Sequence, residues 1–141
     1  MRRTAAVDYG RRRIGLAISD PLGITVRGLE TVFRGEDLEE AAEEVARRLR
    51  EAGAGLIVVG LPLHASGEES EMSREARHFG EALARAAGVE VVYLDEGLTS
   101  WAAEETLKGR GRSLREAQQR GDVDREAAMA LLRGWLEEFG N

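Results

Sequence analysis

Secondary-structure propensity does not explain the acidic residues at three positions of this 141-residue chain. Asp8 ends a short apolar run, and the pair Asp95 and Glu96 follows another. Asp124 stands three, four and seven residues before apolar positions of a C-terminal helical pattern, so it projects onto the buried face of that helix. A carboxylate aimed inward costs free energy unless it is paired or binds a cation. One carboxylate from each place would suit a hard divalent cation with oxygen ligands.

Divalent cations held by carboxylates perform chemistry on phosphate esters. Two such ions activate water on one side of a phosphodiester and stabilise the leaving oxygen on the other, so no side-chain nucleophile is needed. The chain has no cysteine and two histidines, which excludes thiol nucleophiles, zinc ribbons and iron–sulfur clusters and disfavours a histidine-rich metal site. The residues alone therefore predict metal-assisted phosphoryl transfer or hydrolysis.

Each of these acids also has a structural interpretation. Asp8 could hydrogen-bond the turn around Gly10, and one residue of the pair 95–96 could face solvent and cap the next helix. Asp124 could act as an N-cap or interact with the helix dipole, although Asp122 is better placed to cap. Propensity alone does not decide between these interpretations and the catalytic one.

The elements that would position the acids form an α/β pattern. Three strand-like runs with short connections come first, which implies an antiparallel meander. Two further strands alternate with helices, which implies parallel crossovers in one mixed sheet with helices packed on it. The predicted strands cover residues 4–9, 13–19, 25–33, 56–60 and 89–94, and the predicted helices cover residues 37–52, 70–87, a segment ending at 107, a short segment from 113, and 123–139.

Composition limits the class of protein. The length suits one domain, expected over residues 1–141. With 43% hydrophobic and 33% charged residues, the chain is too apolar to be disordered and too polar to be a membrane protein. No apolar stretch reaches the length of a bilayer span, and the N-terminal run is too short for a signal peptide. We therefore expect a cytoplasmic protein with no membrane partner.

Charge is distributed unevenly along the chain. With 20 basic and 26 acidic residues the net charge is −6, which argues against nonspecific binding of nucleic acid over the whole surface. The stretch 108–125 is instead basic, and its residues Arg110, Arg112 and Arg115 are predicted to follow an RNA backbone. A solvated loop is the alternative. If the three arginines bind RNA, replacing them with alanine should flatten the salt dependence of binding.

Four motifs, in this order, cover nearly the whole chain and together resemble one family. The family is YqgF/RuvX, the Holliday-junction-resolvase-like proteins of the RNase H-like superfamily. The motifs are Asp8-Tyr9-Gly10 with Arg13-Ile14-Gly15-Leu16-Ala17-Ile18-Ser19-Asp20, Val59-Gly60-Leu61-Pro62-Leu63 with Gly67, Asp95-Glu96 with Leu98-Thr99-Ser100, and Val123-Asp124 with Ala127-Ala128.

The resemblance implies an RNase H-like three-layer fold, with a mixed five-stranded sheet and helices on both faces. It also implies a metal-dependent nuclease. Matched by motif, Asp8, Glu96 and Asp124 would be both the catalytic residues and the ligands of Mg²⁺ or Mn²⁺, in a two-metal site. The motif around the acidic pair is the reason for choosing Glu96 over Asp95.

Two positions depart from the family pattern. Gly97 stands where the family usually has arginine, which removes one candidate phosphate contact. His64 stands where the family has asparagine, and we assign it no role. Thr99 and Ser100 are predicted foremost to cap the following helix, and contact with a substrate phosphate is the second role predicted for them, compatible with the first.

The resemblance implies processing of the 5′ end of precursor 16S rRNA in ribosome biogenesis, with structured RNA as substrate and ribosomal precursor particles as a candidate partner. One alternative is a Holliday junction resolvase acting on branched, four-way DNA, and another is a non-cleaving RNA-binding assembly factor. An actin- or sugar-kinase-like ATPase ranks last, because those enzymes clamp nucleotide between two domains. A junction resolvase would be a homodimer, whereas an RNA-trimming enzyme could be a monomer.

Overall fold

The computed structural model describes residues 2–62, 70–95 and 122–140. Within these ranges the chain forms five strands and three helices. The strands are β1 (Arg3–Asp8), β2 (Arg13–Ser19), β3 (Val26–Phe33), β4 (Ala54–Leu61) and β5 (Glu90–Asp95), and the helices are α1 (Leu38–Glu51), α2 (Glu71–Ala87) and α3 (Asp122–Phe139). The helical segments predicted between residues 99 and 121 lie outside the described residues.

The five strands form one mixed sheet in the order β3-β2-β1-β4-β5. β1 pairs antiparallel with β2 and β2 antiparallel with β3, whereas β1 and β4, and β4 and β5, pair in parallel. The predicted meander followed by two crossovers is confirmed. This topology makes β1, β3, β4 and β5 end at the same side of the sheet, called here the carboxyl edge.

The helices cover both faces of the sheet, as predicted. α1 and α2 pack on one face, where most of the largest buried side chains lie, among them Ile14, Leu16, Ile18, Leu49, Ile57, Phe79 and Leu83. Of the three described helices, α3 is the one that packs on the other face, against Ala6, Ala17 and Val58, through Ala128, Leu131 and Leu132. Burial of each of these two leucines contributes about 1.5–3 kcal/mol to holding α3 against the sheet.

Local capping explains where the helices begin. Asp37 accepts hydrogen bonds from the main-chain nitrogens of the first turn of α1, and Ser70 forms a reciprocal capping box with Ser73 at the start of α2. Gly88 ends α2 in the left-handed conformation that glycine adopts without strain. α3 begins at Asp122, one residue earlier than predicted, so Asp122 lies in the first turn.

Two strands differ from their prediction. The apolar run of β5 predicts burial on both faces, but β5 is the last strand in the order, and its residues are half-buried or exposed. β4 lies between β1 and β5, and its residues from Leu56 onward are fully buried, as its apolar run predicts. Across the described residues, no helix combines the length and apolar character needed to cross a membrane.

Candidate active site

Asp8 and Asp124 both lie beside Gly15. Asp8 is the last residue of β1, and its Cα pairs with that of Gly15 in β2. A Cβ on Gly15 would overlap the main-chain carbonyl group of Asp124, so the first turn of α3 lies directly against the same residue. Alternation along β1 places Ala6 on the face that α3 covers and Val7 on the opposite face, which puts Asp8 on the α3 face. The fold therefore brings the two acids together at the carboxyl edge.

Arg13 forms an ion pair with Asp124 on this face. Its Nε donates to Asp124 Oδ2 at 3.1 Å, and 18% of the Asp124 side chain is exposed. Burial raises the pKa of Asp124 above its ordinary value, and the nearby guanidinium opposes that rise without cancelling it. The ion pair holds the Asp124 carboxylate at the sheet. Its charged form is nevertheless disfavoured, because burial removes most of the hydration of the carboxylate.

Small residues in β2 and β3 allow α3 to come this close. Gly15 and Ala17 lie under the helix, and Gly28 in β3 leaves space for the side chains of Arg125 and Met129. A methyl group on Gly28 would overlap the aliphatic part of Arg125. The glycine that weakens the strand prediction at position 28 is thus explained by the packing of α3.

The third acidic place is described only in part. Asp95 ends β5 at the carboxyl edge, opposite Leu61 of β4, and it is exposed. The other predicted site residues lie outside the described residues: Glu96, Thr99, Ser100, Arg110, Arg112 and Arg115. Their predicted roles stay predictions.

The two described carboxylates fit a divalent cation in their ligand chemistry. Asp8 and Asp124 offer hard oxygen donors beside one glycine, as Mg²⁺ prefers. In residues 2–62, 70–95 and 122–140, no group of three or more acidic or histidine side chains is gathered closely enough to hold a metal. A three-carboxylate site therefore needs a ligand from another part of the chain, where the sequence predicts Glu96.

A second polar cluster lies behind Asp8, on the opposite face of the sheet. Tyr9 follows Asp8, and its hydroxyl donates to Glu75 Oε1 of α2 at 2.6 Å. Arg11 Nε donates to Glu75 Oε2 at 2.7 Å. Arg34, which follows β3 and is only 7% exposed, donates to the Tyr9 hydroxyl and stacks over its ring. We call Tyr9, Arg11, Arg34 and Glu75 the Glu75 cluster.

The Glu75 cluster shifts the acidity of its members. Burial raises the pKa of Tyr9 to about 12, and the hydrogen bond to Glu75 adds to that rise. Burial also acts to raise the pKa of Glu75, but the hydrogen bonds from Tyr9 and Arg11 outweigh it and lower the pKa below its ordinary value. Tyr9 is therefore a hydrogen-bond donor and Glu75 a charged acceptor at neutral pH.

Sequence reasoning did not single out this cluster. Tyr9 stands in an apolar run, where it is typical of a core aromatic residue, and it does stack on Phe79 at 4.8 Å between ring centres. Glu75 is one of several glutamates on an amphipathic helix, and no local pattern marks it. The one available signal was the run of basic residues Arg11, Arg12 and Arg13, the only three consecutive basic residues in the chain.

Comparisons with known proteins agree on one family. A family model described as RuvX, Holliday junction resolvase, matches residues 2–138. A protein of Anaeromyxobacter dehalogenans named "Putative pre-16S rRNA nuclease" is 46% identical, with 96% of each chain covered. A protein of the same name from Synechococcus elongatus is 39% identical, covering 94% of this chain and 87% of that one.

Solved structures agree on the fold. The structure of Thermus thermophilus RuvC in complex with a Holliday junction substrate matches with a TM-score of 0.56, covering 99% of this chain and 97% of that one. A second Thermus thermophilus RuvC structure matches with a TM-score of 0.52. Sequence identity to these two is 18% and 19%, so the likeness concerns the fold, which is RNase H-like as the motifs predict.

Proposed function

The chain belongs to the RuvX family, and from that premise we propose that it is a nuclease that cleaves precursor 16S rRNA. The observation that carries the proposal is the meeting of Asp8 and Asp124 beside Gly15, with Arg13 balancing the buried charge. The names of the most similar relatives support rRNA as the substrate. The reaction is hydrolysis of a phosphodiester bond.

The chemistry follows from the roles of the residues. Asp8, Asp124 and the predicted Glu96 would hold the divalent cations. Bound there, Mg²⁺ or Mn²⁺ supplies activation of the attacking water and charge stabilisation at the leaving oxygen. Arg13 holds Asp124 in place through its ion pair at 3.1 Å and reduces the cost of its burial. Water adds to phosphorus, the bond to the leaving oxygen breaks, and that oxygen takes up a proton.

Four-way DNA is the second candidate substrate. The family description and the fold of the Thermus RuvC complex favour it, and the same carboxylates would serve either substrate. A resolvase must cut two symmetric strands, so this alternative requires a homodimer. The rRNA substrate requires only a cytoplasmic monomer with access to precursor ribosomal particles. Thr99, Ser100, Arg110, Arg112 and Arg115 are the proposed substrate contacts in either case.

Cleavage assays with both substrates test the proposal. Precursor 16S rRNA and a synthetic four-way DNA junction are incubated with Mg²⁺ or Mn²⁺ and wild-type protein, Asp8→Asn, Asp124→Asn or Asp95→Asn. We expect RNA cleavage that Asp8→Asn and Asp124→Asn each lower by about 100-fold or more, because loss of outer-shell partners of a metal ligand already costs 10–100-fold. Asp95→Asn is the matched control at the same edge and should retain most of the activity.

The outcomes separate the candidate functions. Symmetric nicking of the junction without cleavage of the RNA would replace the proposal with the resolvase. Binding of RNA with no cleavage in either metal would indicate an assembly factor. Equal loss of activity in Asp95→Asn and Asp8→Asn would mean that Asp95, and not Glu96, is the catalytic residue of the pair at 95–96.

A further inference from the structure

We propose that the turn between β1 and β2 is a second substrate-binding surface, at which Arg12, with Arg11 beside it, contacts the phosphate backbone of the RNA. The proposal rests on the proposed function, because the phosphate ligand is taken to be the nucleic acid cleaved at Asp8. We call residues 10–12 the arginine turn. The motifs include Gly10, but neither the motifs nor the predicted site includes Arg11 or Arg12.

The arginine turn lies next to the proposed catalytic acids. Asp8 ends β1, Arg13 begins β2, and the turn between them projects from the carboxyl edge. Arg12 is four residues from Asp8, so their Cα atoms are at most about 14 Å apart. At about 3.4 Å per nucleotide of a stacked strand, this corresponds to a phosphate within about four nucleotides of the cleaved bond. The turn is therefore within reach of a strand that crosses the edge at Asp8.

The three consecutive arginines are directed to three different places. Arg13 pairs with Asp124 on the α3 face, and Arg11 pairs with Glu75 of α2 on the opposite side. Arg12 is exposed, and no side chain among the described residues forms an ion pair or hydrogen bond with its guanidinium. The flanking arginines thus fix the turn, and Arg12 presents an unneutralised charge to solvent.

The Glu75 cluster holds the turn in place. Glu75 binds both Tyr9 and Arg11, and Arg34 binds the Tyr9 hydroxyl beneath them. The main-chain nitrogen of Arg34 also donates to the carbonyl oxygen of Arg12 at 2.9 Å. These bonds tie the turn to α2 and to the segment after β3. Burying the Arg34 guanidinium and part of the Glu75 side chain costs desolvation free energy. A turn that is merely solvated does not need buried charged groups to hold it.

The shape and charge beside the turn suit a phosphate group. A cavity of about 420 Å³ lies between the turn and residues 34–36, and three arginines and two glutamates are among its lining residues. Arg11 binds Glu75 through Nε and lies 4.0 Å from Glu71 through one outer nitrogen, and its side chain is 56% exposed where it lines this open space. In a chain with a net charge of −6, a phosphate chain needs such local positive surfaces to approach.

RNA binding measured without cleavage tests the proposal. A labelled RNA fragment spanning the 5′ end of 16S rRNA is titrated in EDTA at salt concentrations from 50 to 200 mM. We expect Arg12→Ala to weaken binding about 3- to 10-fold at the lowest salt and to reduce the slope of log affinity against log salt by about 0.7 to 0.9. Arg12→Lys should restore most of the slope, because the phosphate contact depends on charge.

Arg85→Ala is the matched control. Arg85 lies near the far end of α2 from Glu75 and pairs with Glu39 at 3.2 Å, and both side chains are exposed. Its removal should change neither affinity nor slope. Thermal melts of each variant exclude loss of folding as the cause.

The outcomes distinguish this proposal from the function on which it rests. If wild-type protein cleaves RNA but Arg12→Ala retains the full slope, the arginine turn is not a binding surface and the nuclease proposal stands. If wild-type protein binds RNA without cleaving it and Arg12→Ala flattens the slope, the binding surface stands and the nuclease proposal fails. A slope that falls equally in Arg12→Ala and Arg85→Ala would overturn the inference.

Discussion

At Asp124, burial and the Arg13 guanidinium act on one carboxyl group in opposite directions. Burial has the larger effect, so the pKa lies above the ordinary value of 3.8. The folded protein therefore holds this proton more tightly than the unfolded chain does. As pH rises from about 3.8 through the folded pKa, the contribution of Asp124 to stability falls.

This gives a pH prediction for the metal-free protein. The free energy of unfolding of wild type minus that of Asp124→Asn should decrease as pH rises through that window, because only the wild type has to ionise a buried acid. Urea denaturation in EDTA at several pH values measures the difference, in which other titrating groups cancel. A difference that grows with pH would show that Arg13 outweighs burial.

Tyr9 allows a second prediction at the scale of single residues. Tyr9→Phe removes the hydroxyl that bonds Glu75 and Arg34, and Arg34 is 7% exposed, so its buried guanidinium loses an acceptor. We expect a loss of about 1–3 kcal/mol in the free energy of unfolding, measured by urea denaturation.

Tyr93→Phe is the control for Tyr9→Phe. The Tyr93 hydroxyl makes a long hydrogen bond of 3.4 Å to the carbonyl oxygen of Arg77. Its loss should cost less than about 1 kcal/mol. If the two variants are equally destabilised, the Glu75 cluster contributes no more than an ordinary surface hydroxyl.

The sequence is unequally informative about individual residues. The inward position of Asp124 follows from helical periodicity, and the structure confirms that its side chain is largely buried. The sequence does not identify Arg13 as the partner of Asp124, because the two residues come close only when α3 packs on β2. Glu75 could not be selected for the same reason, since its partners Tyr9 and Arg34 come from other elements.

At the scale of elements, the approach of α3 to β2 depends on the absence of one side chain. Gly15→Ala would place a methyl group into the main chain of Asp124, which cannot rotate away. We expect it to shift α3, to lower the free energy of unfolding by about 1–3 kcal/mol or more, and to lower RNA cleavage strongly. Denaturation and cleavage are both measured.

Gly35→Ala is the control for that substitution. No atom lies within 4 Å of the added methyl group, and the glycine is exposed. Its effect on stability should stay within about 0.5 kcal/mol. A Gly15→Ala protein as stable as Gly35→Ala would mean that α3 does not need this close approach.

Hydrophobic periodicity predicts well where strands and helices lie along the chain. It does not predict which other elements pack beside them. The strand 13–19 agrees in both bounds, and the cap residues Asp37 and Ser70 explain why two helices begin one residue later than predicted. The expected burial of β5 is wrong because an apolar run does not reveal whether a strand is central or at an edge. Pairing order depends on the whole sheet.

At the scale of the whole molecule, the uneven charge distribution determines where RNA would bind in the proposed function. The acidic faces repel phosphate, while the proposed contacts are arginines, so binding should weaken as salt rises despite the net charge of −6. With about four arginines in contact, the affinity for single-stranded RNA should fall about 50-fold between 50 and 200 mM salt. Fluorescence anisotropy measures this, and an affinity that does not change with salt would exclude an electrostatic interface.

The fold class could be predicted from sequence because the order of strands and helices and the sequence motifs indicate the same fold. A meander followed by crossovers permits few topologies, and the motifs selected the RNase H-like one. The candidate site is predicted less completely. Asp8 and Asp124 both lie beside Gly15, whereas Glu96 lies outside the described residues, and the metal-binding role of all three stays a prediction.

The ion pair between Arg13 and Asp124 joins residues 111 positions apart. Protein synthesis releases the chain from its amino end, so β1 and β2 leave the ribosome long before α3 does. Asp8 therefore emerges without its partner acid, and the site is completed only when translation has passed the last helix. If Asp124 holds the catalytic cations as proposed, a nascent chain or a product of premature termination before α3 lacks that ligand and should not cleave RNA.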